Sequence, residues 1–222
     1  MTKIQQGLPS WAARSLLAVT AVAALTACAP LVVGGAVGTS VLVATDRRTS
    51  GAQLEDQGIE MRAAARLREE FGDRARVVVT SYNRRVLLAG EVPSEADKAR
   101  AVRVVAAVEN VSEIVDELAV LSSPSLSARS SDALVTARVK AALVDARDLS
   151  ANAFKVVTVR GTTYLMGRVT QREADRATDV TRSLSGVQRV VRVFDLITEE
   201  ELARIQPRQA PTQGNASRPA SN

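Results

Sequence analysis

The sequence predicts an α+β protein made of two tandem αββαβ units, each a three-stranded mixed sheet with two helices on one face. Three observations lead there. The stretch Val-Leu-Leu-Ala-Gly-Glu-Val at 86–92 recurs as Thr-Tyr-Leu-Met-Gly-Arg-Val at 163–169, with Gly90 and Gly167 lying 77 positions apart. The flanking pattern recurs with it: Asp56, Ile59, Ala63 and Leu67 return as Asp132, Val135, Val139 and Leu143, and Ala101, Val104 and Val108 as Ala177, Val180 and Leu184. A repeat of this length marks a duplicated unit. The third observation is that runs of period 2 and period 3.6 alternate in the same order in both copies.

Residues 1–27 carry Lys3 and Arg14, then an apolar run over 16–25, then Leu-Thr-Ala before Cys28. A basic start, a short apolar region and small residues before a cut site describe a removable export signal, too short for a membrane-spanning helix. A lone cysteine is ordinarily a small buried apolar residue, but this one follows the cut site directly. Residues 28–54 combine Pro30 with Gly34, Gly35 and Gly38 and have no Gly-Lys-Ser/Thr of a phosphate loop, so they read as a tether.

The first unit covers 55–121. Ile59, Ala63 and Leu67 lie on one side of a helix ending near Gly72. Runs at 77–82 and 86–92 form a hairpin turning at Asn83-Arg84-Arg85. Ser94 with Asp97 resembles a capping box, and Ala101, Val104, Val105 and Val108 supply the face of a second helix. A strand over 111–121 closes the unit. The Ser-rich stretch 122–130 reads as a linker. The second unit, 131–198, repeats the order: a helix marked by Val135, Val139 and Leu143, a hairpin of 154–159 and 163–169 turning at Gly161, a helix boxed by Thr170 and Glu173, and a strand over 187–197. Beyond it, 199–222 begins with a short acidic, helix-prone stretch and ends in a Pro-, Gln- and Ser-rich tail that reads as disordered.

Two helices cover one face of a three-stranded sheet, so the other face must be half polar or covered; mutual shielding by the two units is one solution. In the second hairpin, Phe154, Val156 and Thr158 are placed toward the helices and Lys155, Val157 and Val159 on the opposite face. Gly90 and Gly167 sit where a strand passes under a helix, and the stronger reading is packing: a missing side chain allows close approach or a bulge.

The chain has no histidine and one cysteine, which excludes Ser-His-Asp and Cys-His nucleophiles and His/Cys metal sites. No catalytic residue, metal site or cofactor is expected. Charge divides unevenly: 55–121 holds 10 Lys+Arg against 13 Asp+Glu, and 131–197 holds 11 against 7. A basic domain without aromatic stacking residues in an exported protein points away from nucleic acid and toward anionic lipid.

The Asp-x-x-Ile-type helix, the hairpin ending in Gly-x-Val, the capped helix and the Gly/Asn-Val-x-x-Val strand together resemble the BON domain. Supporting strings are Ala44-Thr45-Asp46-Arg47-Arg48-Thr49, Tyr164-Leu165-Met166-Gly167 and Ser185-Gly186-Val187. Leu-Thr-Ala-Cys resembles the lipobox of bacterial lipoproteins, which implies acylated Cys28 as the mature N-terminus; Ala29 after it implies the outer membrane. Two BON units behind a lipobox resemble outer-membrane lipoproteins that are not enzymes, bind acidic phospholipid through the second domain, face the periplasm and support envelope integrity and division.

The residues suggest where lipid contact would lie. With Val135, Val139 and Leu143 facing the core, the advance of about 100° per residue sends Leu134, Ala137, Ala141 and Val144 around the opposite side, flanked by Arg138, Lys140 and Arg147. That apolar-plus-basic pattern suits a helix lying on a membrane surface. The resembling family's lipid-binding helix aligns here, with a tryptophan where this chain has Leu134. The alternative is that Leu134 and Val144 pack against the first domain or the linker. A second functional reading is an adaptor whose acidic first domain and proline-rich tail dock outer-membrane assembly or division-site proteins.

Overall fold

The computed structural model describes residues 46–122 and 125–205. The export signal, Cys28, the tether up to 45 and the tail from 206 lie outside the described residues.

The first repeat folds as helix α1 (Ser50–Phe71), strands β1 (Arg76–Tyr82) and β2 (Arg85–Val92), helix α2 (Glu95–Ala106) and strand β3 (Glu113–Val120). The second folds as α3 (Leu126–Asp145), β4 (Phe154–Val159), β5 (Thr162–Thr170), α4 (Gln171–Arg182) and β6 (Arg189–Ile197), followed by a short α5 (Glu199–Ile205). In each sheet the middle strand pairs antiparallel with its hairpin partner and parallel with the last strand, giving the orders β1-β2-β3 and β4-β5-β6. This is the expected pair of αββαβ units with mixed sheets.

Local chemistry accounts for the boundaries. Thr49 caps α1 by accepting from Ala52 N, and Gly72 at φ 53° ends it. Thr170 and Glu173 form the full reciprocal capping box of α4. At α2 the match is looser: Ser94 Oγ accepts from Asp97 N at 3.1 Å but donates to Asp97 Oδ2 at 2.6 Å, so the carboxylate holds the hydroxyl. Both hairpins close through two residues with positive φ, Asn83 and Arg84 at 51° and 67° and Arg160 and Gly161 at 53° and 68°. That is the type I′ geometry that matches strand twist. The offset between repeats changes after the hairpin because Pro93 separates β2 from the cap Ser94, whereas Thr170 is both the last residue of β5 and the cap of α4.

Three boundaries differ from the sequence reading. The segment read as tether to 54 is already structured from 46, and α1 begins at Ser50. The linker read over 122–130 is cut short because Ser125 accepts from Ala128 N and starts α3 at Leu126. The helix-prone stretch counted with the C-terminal tail at 199–222 forms α5 and packs onto the domain, its Leu202 buried while Thr198 Oγ1 accepts from Glu201 N. In the first two cases a Ser or Thr cap recruits residues whose composition alone suggests a loop.

The molecule has four layers: helices, sheet, sheet, helices. Ile59, Leu67, Leu88, Val92 and Val105 form the core under α1 and α2, and Val135, Leu143, Phe154, Leu165 and Val169 the core under α3 and α4. A third core lies between the sheets, where Tyr82, Leu87 and Ala89 of the first meet Val159, Tyr164, Met166 and Val193 of the second. The two units therefore shield each other's open faces. Phe154 and Val156 belong to the helix-side core and Val157 and Val159 to the intersheet core, as the alternation in β4 predicts.

Candidate functional site

The outward face of α3 carries the predicted strip except Arg147, which lies in the turn after the helix ends at Asp145. Leu134 and Val144 are 59% and 67% exposed, and Ala137, Ala141, Arg138, Lys140 and Arg147 are exposed with them. The opposite face, Asp132, Val135, Val139 and Leu143, is buried. Arg138 donates to Ser185 O at 3.4 Å, in the connection between α4 and β6. Leu134 and Val144 thus pack neither against the first domain nor under the described linker residues. Apolar side chains in an exposed row with basic neighbours are what an interfacial helix presents to a membrane.

Asp132, which seats this helix, illustrates a device found in both repeats. Its carboxylate accepts from Arg160 N at 2.8 Å and Gly161 N at 3.0 Å, the two positive-φ residues of the hairpin. Asp56 does the same for Asn83 N at 2.7 Å and Arg84 N at 2.8 Å and also accepts from Ser81 Oγ at 2.7 Å. A helix carboxylate therefore satisfies the amides that the turn leaves unpaired, which explains why the aspartate recurs with the hairpin. Burial would raise the Asp56 pKa, but the Arg84 amide, the Ser81 hydroxyl, Arg48 and the Asn83 amide together hold it below the ordinary carboxylate value.

Residues 46–49 form a strap across the domain seam. Arg47 lies bidentate on Glu173 at 2.7 Å through both nitrogens and donates to Arg168 O at 2.9 Å, with both side chains almost wholly buried. Arg48 pairs with Asp56 at 2.8 Å and Asp46 at 2.8 Å, and its guanidinium lies 4.3 Å from the centroid of the Tyr82 ring. The Tyr82 hydroxyl accepts from Arg168 N at 3.2 Å. Glu173 sits below the ordinary value because its Arg47 and Thr170 hydrogen bonds outweigh burial. Sequence reasoning used Glu173 only as a cap and the Asp-Arg-Arg string only as a resemblance; partners more than a hundred residues away leave no local signal.

Charge complementarity across the seam also joins the two repeats directly. Lys155 pairs with Glu60 at 2.6 Å, Arg189 with Glu117 at 2.7 Å and Arg160 with Glu91 at 4.0 Å, each time a base of the second repeat with an acid of the first. Part of the charge asymmetry of the repeats is thus internal complementarity. Glu91 is fully buried, with neither oxygen hydrogen-bonded, and burial raises its pKa while Arg76 and Arg160 oppose the rise.

A Cβ on Gly90 would stand 2.0 Å from Arg76 O, and on Gly167 2.4 Å from Ala153 O. The crowding comes from backbone at the start of the neighbouring strand and not from a helix overhead. Gly167 lies opposite Phe154 and Phe194 in the ladders, and those rings meet edge to face at 6.0 Å. Gly90 also has φ 134°.

Among the described residues no group of His, Cys, Asp and Glu is placed to hold a metal ion, and no helix is long and apolar enough to cross a membrane. The carboxylates Asp116 and Glu117, adjacent on β3, are each taken up by a base: Asp116 pairs with Lys98 and Glu117 with Arg189.

The sequence is similar to known proteins. The outer membrane lipoprotein DolP of Haemophilus influenzae is 37% identical over 173 residues, covering 77% of this chain and 89% of its own. The 21 kDa hemolysin of Actinobacillus pleuropneumoniae is 30% identical over 68% of this chain and 79% of its own. The osmotically inducible protein Y of Escherichia coli K12 is 28% identical over 62% of this chain and 70% of its own. The BON domain profile matches twice, at residues 55–122 and 131–197, each match spanning one αββαβ unit, and the chain belongs to the BON domain family.

Proposed function

We propose that this protein is a non-enzymatic outer-membrane lipoprotein, anchored through acylated Cys28 and facing the periplasm, that binds anionic phospholipid through α3 and supports envelope integrity. The observation that carries the lipid reading is the exposed row Leu134, Ala137, Ala141 and Val144 beside Arg138 and Lys140 on a helix whose other face is core, with Arg147 exposed in the turn that follows it. Burying a large aliphatic side chain contributes about 1.5–3 kcal/mol, and each base near an anionic surface about 1 kcal/mol. The similarity to DolP supports the location, and Leu-Thr-Ala-Cys supports the anchor. Stable attachment needs two membrane signals, which a multiply acylated cysteine together with α3 supplies.

Flotation tests the reading with protein beginning at residue 29, so that no acyl chain contributes. It is expected to float with vesicles containing phosphatidylglycerol and to remain behind with phosphatidylcholine alone. Leu134→Glu combined with Arg138→Ser is expected to abolish flotation with thermal stability nearly unchanged. Unaltered flotation would remove α3 from the membrane, and a stoichiometric protein partner without any flotation would replace the lipid reading by the adaptor one. Mass spectrometry of the mature N-terminal peptide checks the anchor: an unmodified Cys28 or a retained Met1 defeats it.

A further inference from the structure

Glu91 stands apart from the other charged groups of the seam. It is fully buried and neither oxygen is hydrogen-bonded. The guanidiniums of Arg76 and Arg160 come only to 3.7 and 4.0 Å from it, too far to donate. Arg76 Nη1 is itself buried and has no hydrogen-bond partner among the described residues. A buried donor left unpaired is rare enough in native proteins to call for a reason.

Arg76 lines a cavity of about 400 Å³ at the C-terminal end of α1. Arg68 of α1 and Arg129 from the first turn of α3 line it as well, and Leu67, Phe71 and Val77 supply an apolar wall. The bodies of α1 and α3 lie on opposite outer layers, but the start of α3 reaches this one hollow through Arg129. Arg68 and Arg129 are exposed and make no ion pair or side-chain hydrogen bond among the described residues. The acids of that end of α1 do not offset them: Glu70 pairs with Arg100, and neither Glu69 nor Asp73 lines the cavity. Three guanidiniums therefore surround a hollow whose nearest matching carboxylate, Glu91, is out of hydrogen-bond reach.

We infer that this cavity binds a phosphate monoester, with Arg68, Arg76 and Arg129 around its phosphoryl oxygens and its organic part against Leu67, Phe71 and Val77. Each guanidinium presents a planar fork that matches a pair of oxygens. Three forks exceed what the two oxygens of a carboxylate can accept and suit the three terminal oxygens of a phosphate monoester. The hollow is larger than a phosphoryl group, and its apolar wall gives the esterified part a place. Occupancy supplies the partner that Arg76 Nη1 lacks and joins α1 and β1 of the first repeat to α3 of the second. The site is separate from the strip running from Leu134 to Val144 and does not rest on its lipid contact. A soluble phosphate ester and the headgroup of a phosphatidic acid share the chemistry that these residues recognise.

The chain beginning at residue 29 keeps every described residue and serves for the test. Its arginine Nε–Hε signals would be followed by NMR during titration with glycerol 3-phosphate at constant ionic strength. The expected result is saturable movement of the Arg68, Arg76 and Arg129 signals, with a rise in melting temperature as the ligand saturates, and no comparable movement with acetate. Arg68→Ser and Arg129→Ser remove exposed, unpaired groups, so folding is not at stake, and melts without ligand check it. Each is expected to weaken binding about tenfold, and the pair to abolish it. Glu91→Gln ends the competition for Arg76 and should tighten binding about threefold; an unchanged affinity removes Arg76 from the site. Failure to saturate, or an affinity that survives the double variant, overturns the site, and an equal response to acetate overturns the phosphate assignment. Vesicles containing phosphatidic acid separate the two sources. Flotation that persists in Leu134→Glu with Arg138→Ser and is lost when Arg68→Ser and Arg129→Ser are added assigns the site to a lipid headgroup. Saturable glycerol phosphate binding without such flotation assigns it to a soluble ester.

Discussion

Asp56 concentrates four interactions from two separate stretches of chain: two turn amides and the Ser81 hydroxyl from residues 81–84, and the Arg48 guanidinium. Asp56→Ala is expected to cost about 3 kcal/mol in denaturant unfolding, because the buried amides and Arg48 lose their acceptor together. Its folded pKa is depressed, so its contribution is fully present above the unfolded value of about 3.9 and is lost as pH falls through the folded value. Glu91 has the opposite sign. Its raised folded pKa means that its charge costs stability at neutral pH and that the cost is relieved as pH falls through that raised value toward the unfolded one. Glu91→Gln should therefore melt above the wild type at pH 7, by about 1 kcal/mol, with the advantage vanishing on acidification toward about 4.3. Equal melting curves at pH 7 would show that Arg76 and Arg160 already offset the burial.

At the level of elements, the two glycines and the strap decide how strands and helices meet. Gly90→Ala places a Cβ on the Arg76 carbonyl at a backbone angle that alanine resists, whereas Gly167→Ala meets only the carbonyl contact. Both should destabilise, with Gly90→Ala the worse, by roughly 1–3 kcal/mol; a Gly90→Ala protein as stable as wild type would mean that β1 shifts without cost. Arg47→Ala leaves Glu173 buried without its partner at the start of α4, and a loss of about 3 kcal/mol is expected. Hydrogen exchange should show faster opening at both the strap and the first turn of α4 in that variant, since Glu173 is also the reciprocal cap.

For the whole molecule the intersheet core matters most. Leu87, Ala89, Tyr164 and Met166 are buried only because the two sheets meet, so neither repeat retains an intact apolar surface alone. The chain is expected to unfold in one cooperative transition. Met166→Asp, which buries a charge in the seam, should lower the melting temperature and expose protease-sensitive sites in both repeats at once; cleavage confined to the second repeat would show that the first stands independently. The same packing fixes α1 and α3 on opposite outer layers.

The sequence by itself determined what depends on near neighbours and on period. The hairpins, the capped α4 and the outward direction of Leu134 and Val144 are consequences of spacings under about a dozen residues, and the duplication shows as that local pattern returning after 77 positions. The αββαβ order followed, as did the need for something to cover each sheet's second face. Tertiary structure alone decided what covers it, and with that the burial of Glu91, the pairing of Lys155 with Glu60 and the role of residues 46–49. Arg47 and Glu173 lie 126 positions apart, and a hydrogen bond at that separation has no periodic or compositional trace. Likewise the caps at Thr49 and Ser125 sit in stretches whose serine and glycine content reads as loop, and it is packing of the helix face behind them that makes the helices worth starting there.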